Sequence, residues 1–167
     1  NGQLDEALQK YKIAFRKNPK YLDAILNIGT VFQEKRSFLD AISYFKKVIH
    51  IDPEHPIAYF KLGFALESTG RLNDALHSYK ISFSKDPEWF DPIFHMGSIY
   101  QKKGLYDSAI NSYKKVLELN SNHAPAFIQL GMSQYKMGKI AAAEETFRKA
   151  CSIDFARSSA KANLGLL

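Results

Sequence analysis

Residues 56–89 read PIAYFKLGFALESTGRLNDALHSYKISFSKDPEW, and this stretch decides the fold. Its landmarks recur along the chain at a step of 34 residues, in two glycine series and one alanine series. The series are Gly29, Gly63, Gly97, Gly131 and Gly165; Gly2, Gly70, Gly104 and Gly138, with Arg36 in the missing place; and Ala7, Ala41, Ala75, Ala109 and Ala143. With glycine at about 7% of residues in general, four further matches to the first series have a chance on the order of 10⁻⁵. The chain is therefore a repeat.

Each repeat is predicted to form two helices. In the first helix, Tyr59, Leu62, Gly63 and Leu66 fall at i, i+3, i+4 and i+7, which is one helical face. Gly104 and its equivalents lie between the two helices, where a left-handed residue turns the chain. Proline cannot continue a helix, and the prolines that are expected to stop the second helix are Pro19, Pro53 and Pro87.

The small and the bulky residues of the pattern have different packing roles. We expect each first-helix glycine to face an alanine of the next helix, so that the two backbones approach closely. The aromatic side chains are expected to fill the space between one repeat and the following one; they are Phe45, Tyr79, Tyr113 and Phe147. Because no repeat can bury its apolar face alone, the units are predicted to stack into a solenoid.

This pattern resembles the tetratricopeptide repeat, a 34-residue helix–turn–helix unit with Leu-Gly in its first helix. Leu62-Gly63, Ala75, Tyr79 and Pro87 carry the resemblance in the quoted stretch. The resemblance implies an all-α fold, a right-handed α-solenoid of antiparallel helix pairs, whose first helices line a concave groove. We expect one array over residues 1–167, divided into 1–21 (a second helix), 22–55, 56–89, 90–123, 124–157 and 158–167 (the start of a further repeat). Both ends fall inside a repeat, so we expect a fragment of a longer chain.

The resemblance places a partner-binding groove on the first helices. The predicted groove residues offer large apolar side chains that the repeat pattern does not need, together with a few polar ones. They are Leu26, Ile57, Phe60, Lys61, Phe64, Phe94, His95, Ile128, Gln129, Met132 and Tyr135. Exposed apolar surface of this kind marks interaction sites. The alternative is that a tight superhelix or a flanking helix covers these side chains.

The function predicted from this groove is a non-catalytic scaffold that binds a peptide or a helical segment of a partner protein within a larger assembly. The lysine column of the chaperone-tail receptors in this family is absent, because Leu26, Phe60 and Phe94 stand in its place. A second hypothesis is the substrate-recruiting arm of an enzyme whose catalytic domain lies outside this sequence. A third is end-to-end self-association through open terminal repeats, including Leu164, Leu166 and Leu167.

Composition and charge exclude several other classes of protein. The net charge of +6 includes Lys12, Lys46, Lys80, Lys114 and Arg148 at the 34-residue step, which the resemblance assigns to a solvated convex edge. No nucleic-acid partner is therefore expected. The five histidines do not show the spacing of a metal site, and no phosphate loop, nucleophile elbow or acid pair is present. We expect no enzyme, no cofactor and no membrane partner. With one cysteine, Cys151, we expect an intracellular protein, cytoplasmic or nuclear.

Overall fold

The computed structural model describes residues 2–153, and in this range the chain forms nine helices and no strand. The helices are α1 (Gly2–Lys17), α2 (Leu22–Glu34), α3 (Phe38–Ile51), α4 (Pro56–Ser68), α5 (Leu72–Lys85), α6 (Asp91–Lys102), α7 (Tyr106–Leu119), α8 (Ala124–Lys136) and α9 (Ile140–Ser152). The predicted all-α fold built from repeated helix pairs is confirmed.

The chain divides into two compact units. Unit 1 is Asn1–Asp86 and contains α1 to α5, and unit 2 is Pro87–Leu167 and contains α6 to α9. Inside each unit, every helix packs on the next one along the chain. The first helices of successive pairs also touch, α2 with α4 in unit 1 and α6 with α8 in unit 2. We call α2, α4, α6 and α8 the first helices and the others the second helices.

A left-handed residue closes each first helix, as the glycine series predicts. Gly70, Gly104 and Gly138 have φ values of 78°, 72° and 73°, and Arg36 has 60° in the same place. The residue that follows each of them donates its N–H back to the last turn; Ser37 N, for example, bonds Phe32 O at 2.8 Å. This is the hydrogen bond of a Schellman cap, and it turns the chain into the second helix. Arg36 adopts this conformation without the freedom of a glycine.

The other glycine series sits against aromatic rings rather than against alanines. A Cβ built on Gly63 would lie 2.7 Å from Cε1 of Tyr79, in the second helix of the same repeat. The expectation that an alanine faces each glycine is therefore wrong, because the ring edge occupies the space that a Cβ would take. The same contact recurs at Gly29 with Phe45, Gly97 with Tyr113 and Gly131 with Phe147. The rings also reach the following repeat, since Tyr113 and Leu130 share one core cluster.

Two first helices begin at a histidine that caps them. His55 Nδ1 accepts the N–H of Ala58 at 3.3 Å, and His123 Nδ1 accepts the N–H of Ala126 at 3.1 Å. A side-chain acceptor at this position satisfies a backbone donor that has no partner inside the helix. A proline follows each histidine in the first turn, where proline is tolerated. The imidazole must be neutral at Nδ1 to accept this bond.

Two predictions concern the end of the chain. The further repeat at 158–167 and its apolar side chains, Leu164, Leu166 and Leu167, lie outside the described residues. Among the helices of residues 2–153, none combines the length and the apolar character that a membrane crossing requires.

Candidate protein-interaction surfaces

The structure places the predicted groove residues on the first helices of both units, and none of them is fully buried. We call the set in unit 1 the unit 1 face; it consists of Leu26 on α2 and Ile57, Phe60, Lys61 and Phe64 on α4. The set in unit 2 is the unit 2 face; it consists of Phe94 and His95 on α6 and Ile128, Gln129, Met132 and Tyr135 on α8. Each face draws on two helices that touch each other.

Some of these apolar side chains also support the fold. The rings of Phe60 and Tyr79 have centroids 5.6 Å apart, and those of Phe94 and Tyr113 have centroids 5.7 Å apart. Leu26 packs on the buried cluster that contains Ile25. The expectation that the repeat pattern does not need Leu26, Phe60 and Phe94 is therefore wrong, because each covers buried side chains of its own repeat or the next. A charge introduced at Phe60 or Phe94 perturbs the fold as well as the surface.

Phe64 differs from these residues because its position tolerates polar side chains elsewhere in the chain. The equivalent positions, 34 residues apart, hold Thr30, Ser98 and Met132. Thr30 and Ser98 bond a carbonyl of their own helix, Leu26 O at 3.0 Å and Phe94 O at 3.3 Å. The repeat fold therefore does not require a bulky apolar group there. Phe64 and Met132 are half-buried and present apolar surface beyond what the fold demands.

Lys61 and His95 occupy the polar column that the sequence predicts. Burial lowers the pKa of the half-buried Lys61 ammonium, and the carboxylate of Glu34 on α2 opposes that shift. The unit 1 face therefore carries a cation set among apolar groups and attracted by one acidic neighbour. His95 lies edge-on to the Phe94 ring, with the ring centroids 6.1 Å apart. Both side chains stand beside the apolar column and can contact a bound segment.

A polar network beneath the unit 2 face was not anticipated from the sequence. The Tyr113 hydroxyl donates to Gln101 Oε1 at 3.2 Å. Gln101 Nε2 in turn donates to the carbonyl of Gln129 at 3.2 Å and to Ser133 Oγ at 3.1 Å. The side chain of Gln101, on α6, therefore links α7 to α8. The backbone of the predicted groove residue Gln129 is fixed by this network.

The equivalent positions in unit 1 behave differently from one repeat to the next. Tyr79 donates its hydroxyl to Glu67 Oε2 at 3.0 Å, and burial, with the charge of Glu67, raises the pKa of that phenol. In the preceding repeat the aromatic residue is Phe45, which has no hydroxyl. Gln33 stands where Glu67 and Gln101 stand, and its buried Oε1 accepts no hydrogen bond within residues 2–153. The spacing of Gln33, Glu67, Gln101 and Tyr135 at 34 residues is the signal that points to this column.

The titratable groups offer little for chemistry. Within residues 2–153, no group of three or more His, Cys, Asp or Glu side chains is arranged to hold a metal ion. Burial lowers the pKa of His123, and the nearby charge of Asp91 opposes the shift. Asp91 accepts a hydrogen bond from Trp89 Nε1 at 2.6 Å. These contacts belong to the junction between α6 and α8, and they position the helices.

Comparisons with known proteins agree with this geometry. Family models described as "Tetratricopeptide repeat" match residues 1–54, 44–77 and 124–157, and one described as "TPR repeat" matches 97–138. The chain belongs to the tetratricopeptide repeat (TPR) family. TPR chains are typically non-catalytic. No curated protein matches the sequence.

Solved TPR structures share the fold at low sequence identity. The crystal structure of MamA is 23% identical, with 95% of this chain and 92% of that chain covered and a TM-score of 0.87. YrrB is also 23% identical, with coverage of 95% and 82% and a TM-score of 0.79. MamA residues 41 to the end from Desulfovibrio magneticus RS-1 is 19% identical, with coverage of 93% and 88% and a TM-score of 0.84. At these identities the likeness shows the TPR fold alone.

Proposed function

We propose that this chain is a non-catalytic scaffold that binds a peptide or a helical segment of a partner protein on its first-helix faces. The observation that carries the proposal is Phe64. It is a large apolar side chain, half-buried, at a position where Thr30 and Ser98 serve the fold equally well. Exposed apolar groups that packing does not require mark interaction surfaces.

The surroundings of Phe64 support the same proposal. Ile57 on the same helix is 44% exposed, and Lys61 adds a half-buried ammonium beside the apolar groups. A bound segment that covers Phe64 and Ile57 and offers a carboxylate or a carbonyl to Lys61 satisfies all three. Apolar contacts of this kind provide affinity, and a few polar groups fix the register of the segment. YrrB, described as a TPR protein with an unusual peptide-binding site, shows that this fold can carry a peptide site.

The test begins with peptides selected from a displayed random library for binding to the full chain. Their dissociation constants are then measured for the wild type and for Phe64→Ser. Serine occurs at the equivalent position, Ser98, so the variant is expected to fold normally. Burying one phenylalanine side chain contributes about 1.5–3 kcal/mol, so binding should weaken about tenfold or more.

A matched control removes a side chain of similar exposure from the other surface of unit 1. His77 on α5 is exposed, and Asn111 stands at the equivalent position. His77→Asn should leave the dissociation constants unchanged. For unit 2, Met132→Ser is the corresponding test and again places a residue found at Ser98. Unchanged binding in both Phe64→Ser and Met132→Ser would contradict the proposal.

A further inference from the structure

Unit 1 contains an open cavity of about 560 Å³ on the side formed by its second helices. Phe15 of α1 and Ile42 of α3 contribute its apolar walls, with Ile25 of α2 between them. Leu39 and Ile51, at the two ends of α3, also line it and remain 74% and 37% exposed. None of the unit 1 face residues lines this cavity. We call it the second-helix cavity.

The apolar rim of the second-helix cavity is a departure from the repeat. Leu39 stands where the following repeats have Asn73, Asp107 and Ala141. Ile51 stands where the next repeat has Lys85. Since those repeats fold with polar residues at these positions, neither the helix nor its packing requires Leu39 or Ile51. A leucine with three quarters of its surface in water, beside an apolar cavity, indicates a contact with another molecule.

The charged groups at the second-helix cavity are all basic. Lys46, Lys47 and His50 of α3 line it, and no acidic residue is among the described side chains that do so. The Lys47 ammonium lies 4.5 Å from the centroid of the Tyr44 ring and 5.9 Å from that of Phe15. Within the described part of the chain, neither Lys46 nor Lys47 forms an ion pair. Two cations without counter-charges at an apolar cavity are complementary to a partner that combines apolar and acidic groups.

The shape of the second-helix cavity favours a segment of protein over a small molecule. Its lining runs along α3 from Leu39 to Ile51, which at 1.5 Å per residue is roughly 18 Å. Small-molecule sites bury most of the ligand surface, whereas here both ends of the lining are open. A helix of about three turns has the length to cover Leu39 and Ile51 together. Its apolar residues at i, i+4 and i+7 enter the cavity in the manner of a helix that docks in a groove.

We propose that the second-helix cavity binds an acidic amphipathic helix of a partner protein. The helix places bulky apolar side chains against Phe15, Leu39 and Ile42, and its Asp or Glu residues face Lys46 and Lys47. This surface is separate from the unit 1 face, so a scaffold of this kind holds two partner segments at once. The inference rests on the cavity and its charges and does not depend on the proposed function of the first helices.

The experiment selects 16-residue peptides from a displayed random library on the full chain and measures their affinity by fluorescence anisotropy. The selected peptides should include a class that combines leucine or phenylalanine with Asp and Glu. Leu39→Asn together with Ile51→Lys, residues borrowed from the second repeat, should weaken this class about tenfold or more, because two apolar side chains leave the contact. Phe64→Ser, on the unit 1 face, should not affect the class.

Charge reversal gives an independent check that does not depend on the apolar rim. Lys46→Glu with Lys47→Glu should reject the acidic peptides and should accept versions in which Lys replaces their Asp and Glu. Circular dichroism melting of each variant verifies that the fold is retained. A rescue by the exchanged peptides requires a direct charge contact, which a loss of folding cannot produce.

Four outcomes would overturn the proposal. The first is a selection without any peptide whose affinity depends on Leu39 or Lys46, and the second is equal binding of acidic and basic versions of the peptides. The third is Leu39-dependent binding of dodecanoate without peptide binding, which assigns the cavity to a small amphiphile. The fourth is a dimer in sedimentation that Leu39→Asn with Ile51→Lys converts to a monomer, which makes the occupant a second copy of this chain.

Discussion

Adding a hydroxyl at Phe45 should stabilise the protein. The Phe45 ring lies against Gly29 in the way that the Tyr79 ring lies against its own glycine, with built Cβ distances of 2.6 and 2.7 Å to Cε1. Tyr79 donates its hydroxyl to the side chain of Glu67, and Gln33 occupies the equivalent position in the first repeat. The Gln33 Oε1 is buried without a donor among the described residues. Phe45→Tyr therefore places a hydroxyl where an acceptor is waiting.

The magnitude follows from what the new hydrogen bond replaces. A typical intramolecular hydrogen bond contributes a net stabilisation of about 1 kcal/mol, and a buried acceptor without a partner costs about 1–3 kcal/mol. Phe45 is fully buried, so the hydroxyl loses its own hydration, and this offsets part of the gain. The expected net increase in the free energy of unfolding is about 1 kcal/mol. For a chain of this length it corresponds to a rise in Tm of about 2–4 °C.

The assay is thermal and urea unfolding followed by circular dichroism, arranged as a double-mutant cycle. Phe45→Tyr is compared in the wild type and in Gln33→Leu, which removes the acceptor. The gain should appear only when Gln33 is present. In the opposite direction, Tyr113→Phe leaves Gln101 Oε1 without its donor and should lower stability by a similar amount. Equal effects of Phe45→Tyr in both backgrounds, or a loss of stability with Gln33 present, would refute the reasoning.

Three further substitutions test the turn, the core and a helix cap. Arg36→Gly should raise the free energy of unfolding by about 0.5 kcal/mol, because relief of the left-handed strain exceeds the added entropy of the unfolded chain; urea unfolding measures it. Gly63→Ala should lower stability by about 1–3 kcal/mol, because the methyl group meets the Tyr79 ring at 2.7 Å. His123→Asn should keep the cap and remove part of the pH dependence of Tm, since the folded state lowers the pKa of His123.

The sign of the pH effect and the controls are as follows. A lowered pKa means that the folded state prefers the neutral imidazole, so its contribution is present above 6.5 and is lost as the pH falls through the lower folded pKa. The wild type should therefore lose more stability between pH 7 and 5 than His123→Asn, and equal slopes would contradict this account. Gly2→Ala is the control for Gly63→Ala, because nothing lies within 4 Å of a Cβ at Gly2. A stabilising Gly63→Ala, or a destabilising Arg36→Gly, would show that the packing or the turn is misjudged.

Much of the fold could be predicted because the 34-residue step repeats one set of local signals. Glycine at the turn and proline after the second helix act within a few residues of their own position, so spacing alone locates the helices. The structure places Gly70 in the left-handed region as expected, and Arg36 adopts the same conformation. The missing glycine was visible in the sequence. The tertiary context imposed the conformation on arginine nonetheless.

The pairing of side chains could not be predicted in the same way. All the series advance by the same step, so the spacing does not reveal whether Gly63 faces Ala75 or Tyr79. Only the three-dimensional arrangement shows that the ring edge occupies the place of the missing Cβ. For the same reason the sequence did not show that Phe60 rests on Tyr79. Columns of residues on a helix indicate a face, but they do not separate the residues that pack from those that are available for binding.

The second-helix cavity was missed for a different reason. The repeat pattern draws attention to what the repeats share, whereas the cavity depends on how the first repeat differs from the others. Leu39 opposite Asn73 and Asp107 at equivalent positions is the signal that could have identified it. A comparison of each repeat with its neighbours, position by position, predicts which exposed residues the fold does not require. The same comparison supplies the control variants used above.

The most direct measurement of the central claim locates a bound segment on the protein. The photoreactive amino acid p-benzoylphenylalanine replaces either Phe64 on the unit 1 face or Lys80, which is exposed on α5. After irradiation with a selected peptide that Phe64→Ser weakens, mass spectrometry identifies the cross-linked position. The account predicts a cross-link from position 64 and none from position 80. Cross-links from position 80 alone would contradict binding on the first-helix face.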